Sequence, residues 1–238
     1  MARWTMAAAL AALGLVFAAQ ARAGTVASST FDSGDDGWVS GDLATNTSYG
    51  APDYHTSGGP AGLGDAYIST TDTVFTGALQ SLWAPSKFLG NQSAAEGGSL
   101  TFDLIESNYG NYTQPLILIS NGSLTLQYRS TGPVGANNWT ALTVPLSVNA
   151  NWQHIDLGSP GQSGSAATSA ELNSVLANLT FLKIDTDWAD NADTVGLDNV
   201  VLTAPDSQRP PAVPLPSALG AGLVGLSGLL GKRVLRRA

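Results

Sequence analysis

Polar and apolar positions alternate with period two over Leu100-Thr101-Phe102-Asp103-Leu104, as in a strand with one buried face. The alternation returns in Leu124-Thr125-Leu126-Gln127-Tyr128, and residues 116–119 form a short unbroken apolar run that suits a buried strand. Between them lies Ser120-Asn121-Gly122-Ser123. Asn-Gly between two such runs predicts a hairpin with a type I′ turn, whose two central residues need positive φ. Further strands are predicted over residues 141–146, 152–157, 179–185 and 195–202. One segment changes period. Thr168-Ser169-Ala170-Glu171 has capping-box spacing. Leu172, Val175, Leu176 and Leu179 then recur at helical spacing, which predicts about three turns ending near Asn178. Seven or more short strands between Gly, Ser, Asn and Pro turns make the body an all-β sandwich or barrel with one short helix. There is no internal repeat.

The two ends follow neither period. Residues 1–23 place Arg3 before an apolar run over residues 6–19 and end on Ala21-Arg22-Ala23, the small-x-small pattern of a signal peptide cleaved before Gly24. At the other end, a Pro-rich stretch from Arg209 to Pro216 precedes an uncharged apolar run and the basic cluster Lys232-Arg233-Val234-Leu235-Arg236-Arg237. The prolines favour extended backbone. The apolar run, about 15 residues, is short against the roughly 20 that span a bilayer, and snorkelling lysine and arginine stems lengthen it. Basic residues after the run keep that end cytoplasmic and the body outside the membrane. The expected organisation is a signal peptide (1–23), a β-sandwich (24–206) and a membrane-inserting tail (207–238).

Charge and composition remove several function classes. All 18 acids of the 238-residue chain fall between Asp32 and Asp206, and residues 24–231 hold only four bases, a net of −14. Nucleic-acid binding draws its affinity from Lys and Arg neutralising phosphates, so a nucleic-acid partner is excluded. The chain has no cysteine, which removes disulfides, thiolate metal sites and cysteine nucleophiles.

The tail resembles a PEP-CTERM sorting signal, with Val213-Pro214-Leu215-Pro216 matching its Val-Pro-x-Pro box and Leu215 standing where that box usually has an acid. That resemblance implies recognition by an exosortase, a membrane-embedded transpeptidase, in a Gram-negative bacterium that makes exopolysaccharide. The body resembles the laminin B domain (laminin domain IV). The residues that carry this are Leu82-Trp83-Ala84-Pro85-Ser86-Lys87-Phe88-Leu89-Gly90-Asn91-Gln92, the strands at 100–104 and 116–126, the segments Ala167-Thr168 to Glu171 and 175–179, and Gly196-Leu197-Asp198-Asn199-Val200-Val201-Leu202. The resemblance implies a jelly-roll sandwich like those of carbohydrate-binding modules, in an extracellular matrix protein that is not an enzyme. In such modules acids where the first and last strands meet hold a structural calcium, and here Asp32 and Asp198 are the candidate ligands. Calcium takes six to eight oxygens, although Asp beside Gly also caps turns.

The remaining chemistry is sparse, and no catalytic residue or further cofactor is expected. The acidic run from Asp185 to Asp193 departs from the EF-hand template, with Ala189 and Asp190 at its fifth and sixth positions, and reads as a solvated loop. His55 and His154 are isolated, Gly161-Gln162-Ser163-Gly164 reads as a flexible loop rather than a nucleophile elbow, and no phosphate-cradling glycine motif is present. Sugar rings stack on exposed aromatic faces. Trp38 and Trp83 fall inside fold-defining segments and are expected in the core, whereas Trp139 and Trp188 are the candidate ligand contacts. The expected function is that of an exported surface or matrix protein that binds polysaccharide or another matrix component. The alternatives are a polysaccharide-processing enzyme on the same fold, marked by a cleft with convergent acids of raised pKa, and a purely structural surface protein.

Overall fold

The computed structural model describes residues 24–72, 79–108, 115–129, 136–188 and 192–206. The expected signal peptide and the expected tail, with Val213, Pro214, Leu215 and Pro216, lie outside the described residues. No helix among the described residues is long and apolar enough to cross a membrane.

Six short strands come first: β1 (Thr25–Ser29), β2 (Val39–Asp42), β3 (Ser48–Gly50), β4 (Asp53–His55), β5 (Tyr67–Asp72) and β6 (Gln80–Trp83). Then follow β7 (Ser99–Glu106), β8 (Pro115–Ser120), β9 (Thr125–Arg129), β10 (Thr140–Pro145), β11 (Trp152–Ile155), β12 (Ser165–Ala166), helix α1 (Ser169–Ala177), β13 (Phe181–Asp185) and β14 (Asp193–Thr203). They form two antiparallel sheets. One runs β10-β7-β14-β5-β4, with β1 also on β14; the other runs β12-β11-β9-β8-β13-β6-β2-β3. Residues from both inner faces, including Phe102, Leu104, Ile117, Ile119, Leu126 and Ile184, make one continuous core. The architecture is the expected all-β sandwich with one helix.

Strand β14 organises the six-stranded sheet. Strand β7 lies along one edge, while β5 pairs with residues 193–197 and β1 with residues 200–203 on the other. The register shifts between Asp198 and Val201, where Asn199 takes φ +52. The extra residue resets the alternation. Val195 and Leu197 enter the core before it, and Val200 and Leu202 after it.

Helix α1 begins as its spacing predicts. Thr168 Oγ1 accepts from Glu171 N at 3.2 Å and Glu171 Oε2 accepts from Thr168 N at 2.7 Å, while Leu172, Val175 and Leu176 are buried. Its C-terminal end docks on the segment after β6. Gly90 and Leu179 exchange two backbone bonds at 2.8 and 2.7 Å, and Gln92 N donates to Leu176 O at 2.7 Å. The 82–92 segment therefore builds the platform for the helix, with Phe88 buried against Trp38.

The β8–β9 hairpin is present, but its turn differs from the expectation. Gly122 has φ +89, whereas Asn121 is not among the residues with positive φ, and the loop is four residues long. The Asn121 side chain makes the turn instead: its Oδ1 accepts from Ser123 N at 3.1 Å and Leu124 N at 2.9 Å. This Asx geometry replaces the two-residue type I′ turn.

Candidate functional site

The outer face of the eight-stranded sheet carries a groove. The registers align two rows of outward side chains across its middle strands. One row is Trp83, Lys183, Leu118, Gln127 and Gln153; the next is Phe181, Ser120, Thr125 and Ile155. Leu118 belongs to a small apolar cluster with Leu43 and Ile155, while its neighbours Ile117 and Ile119 belong to the main core, which fixes the two faces. Much of the first row is roofed by loops. The second row, in which Phe181 is partly exposed and Ser120, Thr125 and Ile155 are buried, floors a cavity of about 530 Å³, walled by Trp83, Asn46, Ser123, Thr180, His154 and Asp156 among others. A second cavity of about 400 Å³ shares His154, Ile155 and Asp156 and continues under the 159–165 loop.

Lys183 builds one wall of the groove. It is fully buried. Its Nζ donates to the carbonyl oxygens of Asp42 at 3.1 Å, Leu43 at 3.3 Å and Thr45. The ammonium also lies 4.4 Å from the Trp83 ring and 4.8 Å from the Phe181 ring. Burial pushes its pKa down to about 8, with Asp42 opposing the shift. Carbonyl dipoles and aromatic faces thus replace the water that a lysine loses inside a protein. The clamp holds the turn after β2 down on the sheet. Asp42 Oδ1 tightens that turn by accepting from Ala44 N and Thr45 N, both at 2.7 Å.

Gly41 is what lets the Trp83 indole lie across β2. A Cβ at Gly41 would stand 2.5 Å from the indole ring. Trp83 Nε1 donates to Ser81 Oγ at 2.8 Å, and Ser81 Oγ donates to Gly41 O at 3.0 Å. The indole is fixed by its neighbours and remains partly exposed in the groove. Trp83 was expected in the core, and this corrects that expectation: its strand parity points it outward. Trp38 does lie in the core, with Nε1 donating to buried Ser29 at 2.9 Å.

The structure also corrects Trp188. Only 2% of it is exposed, and its Nε1 donates to Asp185 O at 3.0 Å, so it offers no stacking face. Trp139 is half-buried on the outer side of the other sheet, edge-on to Tyr67 at 5.2 Å, with Nε1 donating to Gly58 O at 2.9 Å. The described residues of the acidic run correct the solvated-loop expectation: Asp185 and Asp193 are buried. Burial holds the Asp185 carboxyl well above its ordinary pKa, and raises Asp187 to about 6 and the adjoining Glu106 to about 7. The 161–164 loop is tied down as well. Gly161 N donates to Gln127 Oε1 at 3.0 Å and Gly164 N to Gln153 Oε1 at 3.2 Å.

On the outer side of the six-stranded sheet, Asp198 lies opposite Asp103 in register and is fully buried. Its Oδ1 accepts from Asn199 N at 2.6 Å, whereas Oδ2 has no hydrogen-bond partner. Burial, then Asp65, Asp103 and Asp32, raise its pKa to about 7. Asp32 is exposed and accepts from Thr30 Oγ1 at 2.6 Å. The orphaned Asp198 oxygen has the chemistry of a cation ligand. Yet no group of three or more acidic, His or Cys side chains among the described residues is placed to hold a metal, so carbonyls and water would supply much of any shell.

The groove itself has one carboxylate in its lining, Asp156. Glycoside hydrolysis normally needs two about 5–10 Å apart across the bond, and the raised-pKa acids lie elsewhere. The enzyme alternative therefore gains nothing from the groove.

No curated protein matches the chain in sequence. Among solved structures it is similar to the L4b domain of human laminin alpha-2, at 12% identity and a TM-score of 0.57, over 75% of this chain and 97% of that one. It also resembles the carbohydrate-binding module CtCBM11, at 16% identity and a TM-score of 0.48, over 77% of this chain and 96% of that one. A family 11 carbohydrate-binding module from a cellulosomal cellulase of Clostridium thermocellum matches at 15% identity and a TM-score of 0.44, over 76% of this chain and 96% of that one. The family model described as Laminin B (Domain IV) matches residues 81–215, more than half of the sequence. The match takes in the 82–92 platform, the helix that docks on it and the bulged final strand, and the chain belongs to the Laminin B (Domain IV) family.

Proposed function

We propose that this protein is an exported, non-catalytic binding module that holds polysaccharide, as part of an extracellular matrix, in the groove over the eight-stranded sheet. One observation carries the reading: Trp83 and Phe181 are partly exposed beside the exposed Ser123 and Thr180, over a floor that includes the buried Ser120 and Thr125. A sugar ring has apolar C–H faces and a rim of hydroxyls. Aromatic faces with hydrogen-bonding groups around them match both. Affinity electrophoresis of the purified protein through polysaccharide-containing gels tests it. Retardation by at least one polymer, lost in Trp83→Ala and kept in Trp139→Ala, is the expected result. Release of smaller products from the polymer would favour the enzyme alternative instead.

Export and sorting complete the proposal. Residues 1–23 direct secretion, the 207–238 tail inserts transiently in the inner membrane for an exosortase, and the 24–206 unit reaches the cell surface. The supporting observations are the apolar and basic patterning of the two ends. Mass spectrometry of the protein recovered from surface fractions should find Gly24 at the start and the basic end missing. Calcium at Asp32 and Asp198 is proposed on the orphaned oxygen of Asp198. It would neutralise the acids where the first and last strands meet. Chelation should lower the melting temperature, and Asp198→Asn should remove that response.

A further inference from the structure

Resting on the proposed groove, we infer that its ligand is an uncharged polysaccharide, bound as an extended segment lying across the strands, and that uronate-bearing or sulfated chains are rejected. Residues 24–231 hold 18 acids and four bases. Lys87 is paired with Asp36, away from the groove. Arg129 lines neither cavity. Lys183 lines the groove, but its ammonium is buried and donates to three carbonyl oxygens between two rings. Reaching an anion would break that clamp and lift the turn after β2 off the sheet. His154, the remaining basic residue in the lining, alternates to the opposite face from Gln153 and Ile155, with Nδ1 3.3 Å from Glu171 Oε1. The acid in the lining, Asp156, is exposed.

An anionic sugar entering this groove would therefore meet a carboxylate and a negative field, with no available cation among the described residues of its lining. Recognition of carboxylate and sulfate ordinarily uses arginine or lysine forks. Like charge brought together without such a partner is a repulsive element, and it discriminates as effectively as an attractive one. What the groove offers instead is neutral: two rings, hydroxyls and the side-chain amide of Asn46. Its direction follows from the register. From Trp83 on β6 to Ile155 on β11 are four strand spacings of about 4.8 Å, roughly 19 Å, and the adjoining cavity prolongs the line beyond β11. A site of that length takes several sugar units.

The test compares polymers that share a backbone and differ in charge, with the full chain and a chelator present so that calcium bridging does not mimic a cation. Hydroxyethylcellulose is set against carboxymethylcellulose, and dextran against dextran sulfate, with alginate as a further acidic polymer. Binding to at least one neutral polymer, at least tenfold weaker to its charged counterpart, and unchanged between low and high salt, is the expected result. Ser123→Lys places a cation at the exposed rim, outside the core, and should raise binding to the charged counterpart several-fold. Tighter binding to the acidic polymer, or binding that salt abolishes, would overturn the inference and leave the binding groove standing. Retention by no polymer of either class would overturn the groove reading and this inference together.

Discussion

Lys183 shows how one side chain sets the shape of a surface. A lysine in the middle of a strand is ordinarily a solvated residue, yet here the chain folds a turn over it and gives its ammonium three carbonyls. Removing the ammonium while keeping the stem, as in Lys183→Met, leaves those carbonyls buried without a donor. The expected cost is about 1–3 kcal/mol, read by chemical denaturation and accompanied by a change in Trp83 fluorescence. Gly41→Ala acts from the other side of the same ring: a Cβ 2.5 Å from the indole must displace it. The same Cβ would stand 2.9 Å from the Thr47 carbonyl oxygen, so the β2–β3 turn must also give. The variant, checked for folding by circular dichroism, should lose polysaccharide binding by about tenfold or more, the equivalent of about 1.4 kcal/mol. Binding unchanged in Gly41→Ala would detach Trp83 from the function. The sequence carried a trace of this arrangement. Phe181-Leu182-Lys183-Ile184-Asp185 alternates faces, and the odd positions give the aromatic, the cation and the acid of the outer side. Which strand would put an indole beside that lysine depends on sheet pairing across about a hundred residues, and no local pattern encodes it.

Among the elements, those with strong periodicity were legible and those without it were not. Strands β7, β8, β9, β10, β11, β13 and β14 and helix α1 fall where alternation, apolar runs and capping spacing predicted them. The first six strands are short and rich in Ser, Thr, Gly, Asp and Tyr, so their inward positions do not stand out. Gly41 illustrates the reason: an outward position holds glycine because an indole covers it. The acidic run misled through composition. Asp185 ends a central strand and Asp193 begins one, so their burial is set by strand position and not by polarity. The capping box was legible because all its parts lie within four residues, and Thr168→Ala should cost about 1 kcal/mol in a denaturation experiment. The bulge at Asn199 makes a second prediction for an element. Its φ of +52 tolerates glycine but not a β-branched residue. Asn199→Val should destabilise the protein far more than Asn199→Gly, and equal effects would argue against a bulge there.

Across the whole molecule the buried acids set the pH response. A carboxyl with a raised folded pKa holds its proton more tightly folded than unfolded. Its contribution to stability is therefore full below the ordinary value near 4 and is lost as pH rises through the folded value. Glu106 and Asp198 at about 7 and Asp187 at about 6 all act this way, so stability should fall between pH 4 and 7. Lys183 acts later, because a buried ammonium costs stability until it loses its proton near pH 8. In a chelator, the melting temperature should be higher at pH 5 than at pH 7.5. Glu106→Gln should flatten the difference. A melting temperature that rises between pH 5 and 7.5 would contradict these burials. At this scale the sequence disclosed the all-β class, the acidic body and the Laminin B (Domain IV) family, because each rests on composition or on ordered local motifs. The groove stayed hidden because it is made by register between strands distant in sequence.

Chemical-shift mapping shows whether polysaccharide lies over the eight-stranded sheet. Titrating an oligosaccharide cut from a polymer that retards the protein should move the indole resonance of Trp83 and the amides of Phe181, Thr125 and Ile155, while Trp139 and Tyr67 stay in place. Shifts gathered around Trp139 and Tyr67, with the groove unmoved, would contradict the account.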